Sequence, residues 1–301
     1  IIFCNDPEYK RTRALAENIE RLGVRNAAVT SNTADDYVKA GCEEYFDTLI
    51  VDAPCSGGGI TRYETVPYTR DIVEGCAERQ RAILAQAVRL LAAGGHMLYS
   101  TCTFSREENE QNVEYLCSLG METVDVPLLD GVERGIGIAD ARRIYPHNFD
   151  GEGHFYCVLK KRGGGVCVRP VLRGKRRTAK AGAATLDVIE IDGRLTLPIS
   201  SPRLDGLNVI RLGVPVFNVK GEPTHALAHA LTRNQVADAG AVELGALACE
   251  YLKGGELNIA APHGMTVAAV GGHALGWARA ARSGDGEPVL KNLYPKALRI
   301  S

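Results

Sequence analysis

The sequence lacks an apolar run of about 18 residues or more, the length that a membrane-spanning helix needs. It also lacks a basic leader before the apolar residues 1–4, so a secretory signal is not expected. Neither charge sign is in excess, because 35 Lys and Arg face 36 Asp and Glu and the net charge is -1. We therefore expect a cytoplasmic protein with no membrane partner, in which any contact with nucleic acid comes from a local basic segment.

Regular cysteine spacing is missing as well. The nine cysteines do not form the evenly spaced set of a disulfide framework, and no Cys-x-x-Cys pair occurs, so we expect no bound metal. Most of the thiols are interpreted as reduced and buried. A chain of 301 residues, of which 45% are hydrophobic, is typical of a soluble protein with two or three globular units.

The first half of the sequence contains short apolar runs that alternate with longer amphipathic stretches. This alternation favours a parallel sheet covered by helices on both faces, whose ligands bind at the carboxyl ends of the strands. Asp6, Asp52 and Cys102 each follow the end of a predicted strand, so we expect them to meet at one edge of the sheet. The pattern predicts strands over 1–5, 27–30, 48–51, 96–100 and 154–159, and helices over 7–22, 78–91 and 107–119.

The composition changes between residues 160 and 180, where basic residues occur without an acidic one. The segment also contains the run Gly163-Gly164-Gly165 and is interpreted as a flexible linker over residues 163–185. Two roles are open: a solvated linker, or a segment that contacts phosphates. Beyond it, short apolar runs with Gly and Pro indicate small β-rich units, with one helix over 224–231 and strands over 266–270 and 274–278.

Two short motifs carry the most specific signal. Asp52-Ala53-Pro54-Cys55-Ser56-Gly57 follows one predicted strand, and Ser100-Thr101-Cys102 ends another. Here the sequence resembles the Sun (NSUN) family of RNA cytosine-C5 methyltransferases over residues 1–161. The tail resembles the C-terminal RNA-binding modules of the bacterial, RsmF-like branch, which acts on 16S ribosomal RNA. The matching segments are Asn5-Asp6, Arg143, Pro146-His147, residues 151–155, Tyr251 to Glu256 and Leu290 to Arg299.

The resemblance implies an α/β fold. A Rossmann-like class I methyltransferase sheet, incomplete at its N-terminus, would be followed by smaller α+β or β-rich RNA-binding modules. The expected boundaries are a catalytic domain at 1–162, the linker at 163–185, an RsmF-type module at 186–248 and a PUA-like module at 249–301. The partner would be ribosomal RNA or the small ribosomal subunit.

The resemblance also assigns the chemistry. Cys102 would attack carbon 6 of the cytosine, which makes carbon 5 reactive toward a sulfonium methyl group. Cys55 would assist product release, and Asp52 would contact the base. Because Thr101-Cys102 precedes a predicted helix, we expect the helix end to lower the pKa of the Cys102 thiol. The run Glu107 to Glu110 is interpreted as an acidic first turn of that helix.

S-adenosylmethionine is the implied cofactor, with contacts from Asp6, Thr33, Asp52 and Pro54. Thr33 falls where relatives often carry an Asp, and Gly57-Gly58-Gly59 stands where many have Gly-Glu-Gly. The family's glycine-rich cofactor loop, Ala-Pro-Gly-Gly-Lys in character, precedes the strand that here begins at Ile1, so we expect the chain to be a fragment that binds the cofactor weakly or not at all. The implied RNA contacts are Arg62, Lys175, Arg176, Arg177, Lys291 and Lys296.

Two other functions stay open from the residues. One is an RNA-binding fragment without catalysis, which the absent cofactor loop favours. The other is a DNA cytosine methyltransferase, in which the cysteine of the Pro-Cys motif, Cys55, would be the nucleophile. Substitution of the two cysteines separates the RNA methyltransferase from the DNA methyltransferase.

Overall fold

A computed structural model describes residues 1–60, 67–164, 174–191, 193–199, 204–261 and 264–299. Its strands are β1 (Ile2–Asn5), β2 (Ala27–Thr30), β3 (Phe46–Asp52), β4 (Leu91–Thr101), β5 (Met121–Thr123), β6 (Glu133–Arg134), β7 (Arg142–Ile144), β8 (His154–Lys161), β9 (Lys175–Ala181), β10 (Ala184–Ile191), β11 (Arg194–Thr196), β12 (Val209–Leu212), β13 (Val242–Glu243), β14 (Gly264–Val270), β15 (His273–Arg282) and β16 (Pro288–Asn292). Its helices are α1 (Tyr9–Arg21), α2 (Ala34–Lys39), α3 (Arg70–Leu90), α4 (Glu110–Ser118), α5 (His225–Ala230), α6 (Arg233–Asp238) and α7 (Ala248–Lys253), with 3-10 turns at Gly245–Leu247 and Lys296–Leu298.

The chain divides into two units. Unit I contains residues 1–32 and the described residues from 174 onward, and unit II contains the described residues from 33 to 164. Within the described ranges, no helix combines the length and the apolar character needed to cross a membrane.

Unit II is built on a mixed sheet. The strand order is β3-β4-β8-β7-β6, with β5 paired to β8. Strands β3 and β4 are parallel neighbours, as the sequence predicts, and the other pairs are antiparallel. Helix α3 begins after Thr69, whose side chain accepts a hydrogen bond from the N–H of Ile72 at 3.4 Å. Its apolar face packs on the sheet around a core that includes Leu84, Leu91, Met97, Tyr99, Phe155 and Leu159.

The first two strands belong to unit I, not to the sheet that contains β3. Strands β1 and β2 are parallel, and β12 pairs with β2 in the antiparallel sense. Asn32 fixes this pairing, because its side chain donates to the carbonyl of Asn208 at 3.1 Å and accepts from the N–H of Asn208 at 2.9 Å. The expectation of one sheet that brings Asp6 to the same edge as Asp52 and Cys102 is therefore not met. Asn32 and Asn208, which join the two strands, are 176 residues apart along the chain, beyond the reach of local patterns.

The structure differs from the expected linker over residues 175–185. Strand β9 forms an antiparallel hairpin with β10, and β10 pairs in turn with β11. Small and apolar residues of both strands explain the hairpin. Ala181 on β9 and Ala184, Leu186 and Val188 on β10 are buried in the core of unit I. The basic residues of β9 stay exposed. The basic composition indicates a flexible segment, whereas the small residues at alternate positions, Ala179 and Ala181, have the period of a strand.

The C-terminal part of unit I contains a third sheet, in the order β13-β14-β15-β16. The strands predicted over 266–270 and 274–278 are confirmed as parts of β14 and β15. Trp277 is 3% exposed, and its indole N–H donates to the carbonyl of Thr224 at 2.8 Å, so it is a core residue. The sheet packs on a core formed by Leu244, Tyr251, Leu257, Ala268, Ala278, Ala280 and Leu290.

Candidate active site

Two loops lie side by side where β3 and β4 end. Asp52, the last residue of β3, is in register with Ser100 near the end of the parallel strand β4. The N–H of Ala53, in the first loop, donates to the carbonyl of Ser100 at 3.1 Å. The N–H of Gly59 donates to the carbonyl of Cys102, in the second loop, at 2.9 Å. The loops therefore meet at the carboxyl edge of the parallel strands, where such sheets bind ligands.

The thiols of Cys55 and Cys102 are in contact between these loops. Their Sγ atoms lie 2.6 Å apart, and the backbone N–H of Cys102 points to Cys55 Sγ at 3.3 Å. Both side chains are half-buried. Asp52 is exposed beside them, and Ser100 Oγ donates to its Oδ1 at 3.3 Å. The two thiols therefore lie together where the neighbouring parallel strands end.

The contact shifts the pKa values of the two thiols in opposite directions. The hydrogen bond with Cys102 lowers the pKa of the Cys55 thiol to about 7, although partial burial opposes this shift. The same hydrogen bond, together with burial, raises the pKa of the Cys102 thiol. Helix α4 begins only at Glu110, and the field of a helix end fades within one turn. The expectation that a helix end lowers the pKa of Cys102 is therefore wrong for this state, and Cys55 is the more acidic thiol.

A buried carboxylate connects the two loops. Glu108 is fully buried. Its carboxylate accepts hydrogen bonds from the N–H of Ser56 at 2.9 Å, from Ser56 Oγ, and from Gln80 Nε2 at 2.9 Å. Gln80, on α3, also donates to the carbonyl of Pro54 at 2.9 Å. Glu108 thus holds Ser56 directly, and Gln80, which Glu108 also binds, holds Pro54 on the other side of Cys55.

Asn109 fixes the loop of Cys102 itself. Its Oδ1 accepts from Thr101 Oγ1, and its Nδ2 donates to the carbonyl of Thr103 at 2.9 Å. Asn109 is fully buried, so these bonds are shielded from water. The residues immediately before and after Cys102 therefore have one common partner.

A buried ion pair supports the same loop from β7. Arg143 Nε and Nη2 lie 2.7 and 2.6 Å from the two carboxylate oxygens of Glu110. Both side chains are buried, with 2% and 0% exposure. Arg143 Nη1 also donates to the carbonyl of Phe104 at 3.1 Å. The arginine thus connects the start of α4 to the segment that follows Cys102.

The interpretation of Glu107 to Glu110 as an acidic first turn holds only for Glu110, because α4 begins at that residue and the other three precede the helix. Glu108, Asn109 and Glu110 are buried and position the cysteine loops, whereas Glu107 is exposed. A signal was available, because Asn109 is spaced four and seven residues from the buried Val113 and Leu116. That spacing places all three on one helical face.

The glycine run after Cys55 permits the close approach of the loops. Gly57 has φ +72°, a conformation that favours glycine. A Cβ atom on Gly59 would lie 2.7 Å from the carbonyl oxygen of Gly153 and 2.8 Å from that of Cys102. A side chain at Gly59 is therefore excluded unless the backbone moves.

The other residues expected at the cofactor are found in local structural roles. Pro54 is exposed next to Cys55. Thr33 begins α2 in a capping box with Asp36. Asp6 lies in unit I, where its Oδ1 accepts from the N–H of Glu8 at 2.8 Å and its Oδ2 lies 3.2 Å from Arg11 Nε. Asp52 and Pro54 lie beside the thiols.

The residues expected to contact RNA are exposed where the structure describes them. Lys175, Arg176 and Arg177 are on β9, and Arg177 forms an ion pair with Glu190. Lys291 lies on β16 opposite Arg279, and Lys296 begins the last 3-10 turn. Arg62 lies outside the described residues.

Two family matches cover separate parts of the chain. Residues 1–160, more than half of the chain, match the family described as 16S rRNA methyltransferase RsmB/F. Residues 245–300 match the methyltransferase RsmF PUA domain.

Individual relatives agree with these matches. The tRNA (cytosine(72)-C(5))-methyltransferase of Pyrococcus horikoshii is 35% identical over 160 residues, which are 53% of this chain and 40% of that protein. The ribosomal RNA small subunit methyltransferase F of Pectobacterium atrosepticum is 33% identical over 169 residues, 54% of this chain and 35% of that protein. The crystal structure of NSun6 from Pyrococcus horikoshii with SFG has 34% identity and a TM-score of 0.51, and the match covers 54% of this chain and 42% of that one. The chain thus matches less than half the length of each of these relatives.

Proposed function

The chain belongs to the RsmB/F family of 16S rRNA methyltransferases, and on that premise we propose that its protein methylates carbon 5 of a cytosine in ribosomal RNA. The substrate would be the RNA itself or the small ribosomal subunit, the methyl donor S-adenosylmethionine, and the location the cytoplasm. The observation that carries the proposal is the 2.6 Å contact between the sulfurs of Cys55 and Cys102. Methylation of carbon 5 needs a nucleophile that attacks carbon 6 and a second group, next to that nucleophile, that accepts and donates a proton.

Cys102 is the proposed nucleophile. Attack of its sulfur on carbon 6 makes carbon 5 enamine-like and able to accept a methyl group. Cys55 has a pKa of about 7, so at neutral pH a large share of the molecules carries a thiolate there. Cys55 Sγ can then take the proton of Cys102 as that sulfur attacks. After methylation, the carbon 5 proton passes to water and the bond between Cys102 Sγ and carbon 6 breaks. Cys55 assists this release by returning its proton to the departing Cys102 sulfur, which restores the starting state of both thiols.

Asp52 is the proposed contact to the base. Its carboxylate is exposed at the end of β3, and Ser100 Oγ orients it. In this position it would stabilise charge that arises at the ring nitrogen during attack. The target cytosine must leave its stack to reach the two sulfurs.

The cofactor contacts divide into two groups. Asp52 and Pro54 are exposed beside the thiols, so they fit a bound nucleoside. The side chains of Asp6 and Thr33 already make hydrogen bonds near the starts of α1 and α2. When bound, S-adenosylmethionine supplies an electrophilic methyl group on a sulfonium centre.

RNA would be held by exposed basic residues. Lys175, Arg176, Arg177, Lys291 and Lys296 are the proposed phosphate contacts in the described ranges, with Arg62 as a further candidate. We keep residues 1–162 as the catalytic domain, 163–185 as the basic segment, and 186–248 and 249–301 as the two C-terminal modules. Contacts of this kind weaken as the salt concentration rises.

The experiment uses the complete product of the reading frame that encodes this chain. Cys102→Ala should abolish methyl transfer to ribosomal RNA, because no sulfur remains for carbon 6. Cys55→Ala should instead accumulate a covalent protein–RNA adduct, visible as a denaturation-resistant band. Cys249→Ala is the matched control, since Cys249 is exposed in unit I, and it should leave both readouts unchanged.

The reverse pattern, loss of transfer in Cys55→Ala and an adduct in Cys102→Ala, would overturn the assignment and favour the DNA-type mechanism. RNA binding without methyl transfer by the unsubstituted protein would overturn the catalytic proposal and leave a binding module.

A further inference from the structure

We propose that Cys55 and Cys102 form a redox modification site, in which a hydroperoxide converts the two thiols into an intramolecular disulfide that thiol reductants reverse. The effect on methylation rests on the proposed function, because a disulfide leaves no thiol to attack carbon 6. The formation of the disulfide depends only on the geometry of the pair.

The geometry places the sulfurs close to bonding distance. A disulfide bond is about 2.05 Å long, so the 2.6 Å separation requires a further approach of only about 0.5 Å. The loops are held in this arrangement by Glu108 on the side of Cys55 and by Asn109 on the side of Cys102. A pair that is already aligned closes faster than two thiols that must first find each other.

The reaction needs access as well as proximity. Cys55 and Cys102 are half-buried, so a small hydroperoxide can reach them, whereas Cys42 and Cys157 are buried. The lowered pKa of Cys55, caused by its hydrogen bond with Cys102, provides the thiolate that reacts with a peroxide. Cys249 is exposed and serves as an internal reference without a neighbouring thiol in the described contacts.

The chemistry proceeds in two balanced steps. The Cys55 thiolate attacks one peroxide oxygen, the O–O bond breaks, and Cys55 becomes a sulfenic acid while hydroxide or alkoxide leaves. Cys102 Sγ then attacks Cys55 Sγ, the S–O bond breaks, and the thiol proton of Cys102 leaves with the hydroxyl group as water. Two thiols are oxidised and one hydroperoxide is reduced to water and an alcohol, or to two waters when it is hydrogen peroxide.

Mass spectrometry of tryptic peptides tests the proposal directly. Cys55 falls in the peptide 40–62 and Cys102 in the peptide 90–106. After hydrogen peroxide treatment, alkylation of remaining thiols and digestion without reductant, a linked peptide should appear that is two hydrogens lighter than the two parts together. Reduction before alkylation should remove it. Peptide 40–62 also contains Cys42, so fragment ions and a Cys42→Ser variant assign the linked sulfur.

Three variants complete the experiment. Cys55→Ser and Cys102→Ser should each abolish the linked peptide, and Cys249→Ser should leave its yield unchanged. Recovery of Cys55 and Cys102 only as separate oxygenated residues in the unsubstituted chain would overturn the proposal, as would a link that uses Cys42 or Cys249 instead.

The readout separates this proposal from the proposed function, because the linked peptide forms without any methyl transfer. If the disulfide forms in a protein that never methylates RNA, the proposed modification site is supported and the proposed methylation activity is overturned. Methyl transfer that persists in the fully linked protein would overturn the role of Cys102 as nucleophile.

Discussion

At the scale of single residues, the chemistry depends on which sulfur holds the shared proton. The Sγ atoms of Cys55 and Cys102 are close enough that ionisation of one is stabilised by the thiol of the other. The backbone N–H of Cys102 points to Cys55 Sγ, which adds a second donor to that sulfur. The thiolate of the resting protein therefore lies on Cys55, while the nucleophile proposed for carbon 6 is its neighbour.

The first prediction concerns pH. Alkylation of Cys55 should increase with a midpoint at about pH 7, because its lowered pKa makes the thiolate available below the usual range of a cysteine. In a Cys102→Ala variant the midpoint should rise toward about 8.5, since the stabilising hydrogen bond is lost. The measurement is the pH dependence of iodoacetamide labelling of Cys55, with Cys249 as internal reference. Fragment ions of peptide 40–62 separate this label from one on Cys42. A midpoint that is the same in both proteins would contradict the shared proton.

Glu108 gives a second prediction at this scale. Glu108→Ala should lower the free energy of unfolding by about 2–4 kcal/mol, because the N–H of Ser56 and the amide of Gln80 lose their acceptor in a buried place. Urea denaturation measures the change. The exposed neighbour provides the control, and Glu107→Ala should change the same quantity by about 0.5 kcal/mol or less. Equal losses in the two variants would contradict the role given to Glu108.

At the scale of elements, the site is formed by the ends of two strands, and the segment before one helix holds those ends in place. The ends of β3 and β4 supply the reactive residues, and the segment that leads into α4 supplies their partners. Strand ends were predictable, because apolar runs followed by polar motifs mark them in the sequence. The partners were not, because the buried state of Glu108 and Glu110 depends on α3 and β7, which are remote in sequence.

The ion pair between Glu110 and Arg143 gives the element-scale prediction. Arg143→Met should lower the free energy of unfolding by about 3–5 kcal/mol, because it leaves the carboxylate of Glu110 buried without a cation. The double variant Arg143→Met with Glu110→Leu should lose less free energy of unfolding than Arg143→Met alone, since no buried charge remains. Urea denaturation of both variants measures this difference. A double variant that is less stable than Arg143→Met would show that the unpaired charge of Glu110 does not cause the loss of stability.

At the scale of the whole chain, residues expected around one cofactor are divided between two units. Asp6 belongs to unit I, and Asp52, Pro54 and Thr33 belong to unit II. The oxygens of Asp6 and the hydroxyl of Thr33 already have partners at the starts of α1 and α2. The sequence contains no Ala-Pro-Gly-Gly-Lys type of loop that would supply further backbone donors for the cofactor.

The corresponding prediction is that residues 1–301 alone bind S-adenosylmethionine weakly or not at all. Isothermal titration calorimetry should give no micromolar affinity, because Asp6 and Thr33 already have hydrogen-bond partners and the sequence lacks the glycine-rich loop. The ribosomal RNA small subunit methyltransferase F of Pectobacterium atrosepticum, titrated under the same conditions, is the control. A micromolar dissociation constant for residues 1–301 would contradict the prediction.

The sequence by itself determined the two cysteine motifs, their places at the ends of neighbouring parallel strands, and the PUA-like segment. These features are local in the chain, so their residue types and spacing are visible without a structure. Only the tertiary structure decided that β2 pairs with β12 and that Glu108, Asn109 and Glu110 are buried partners of the cysteine loops. It also decided that Cys55 is the more acidic thiol, because the pKa of each sulfur depends on a distance between residues 47 positions apart.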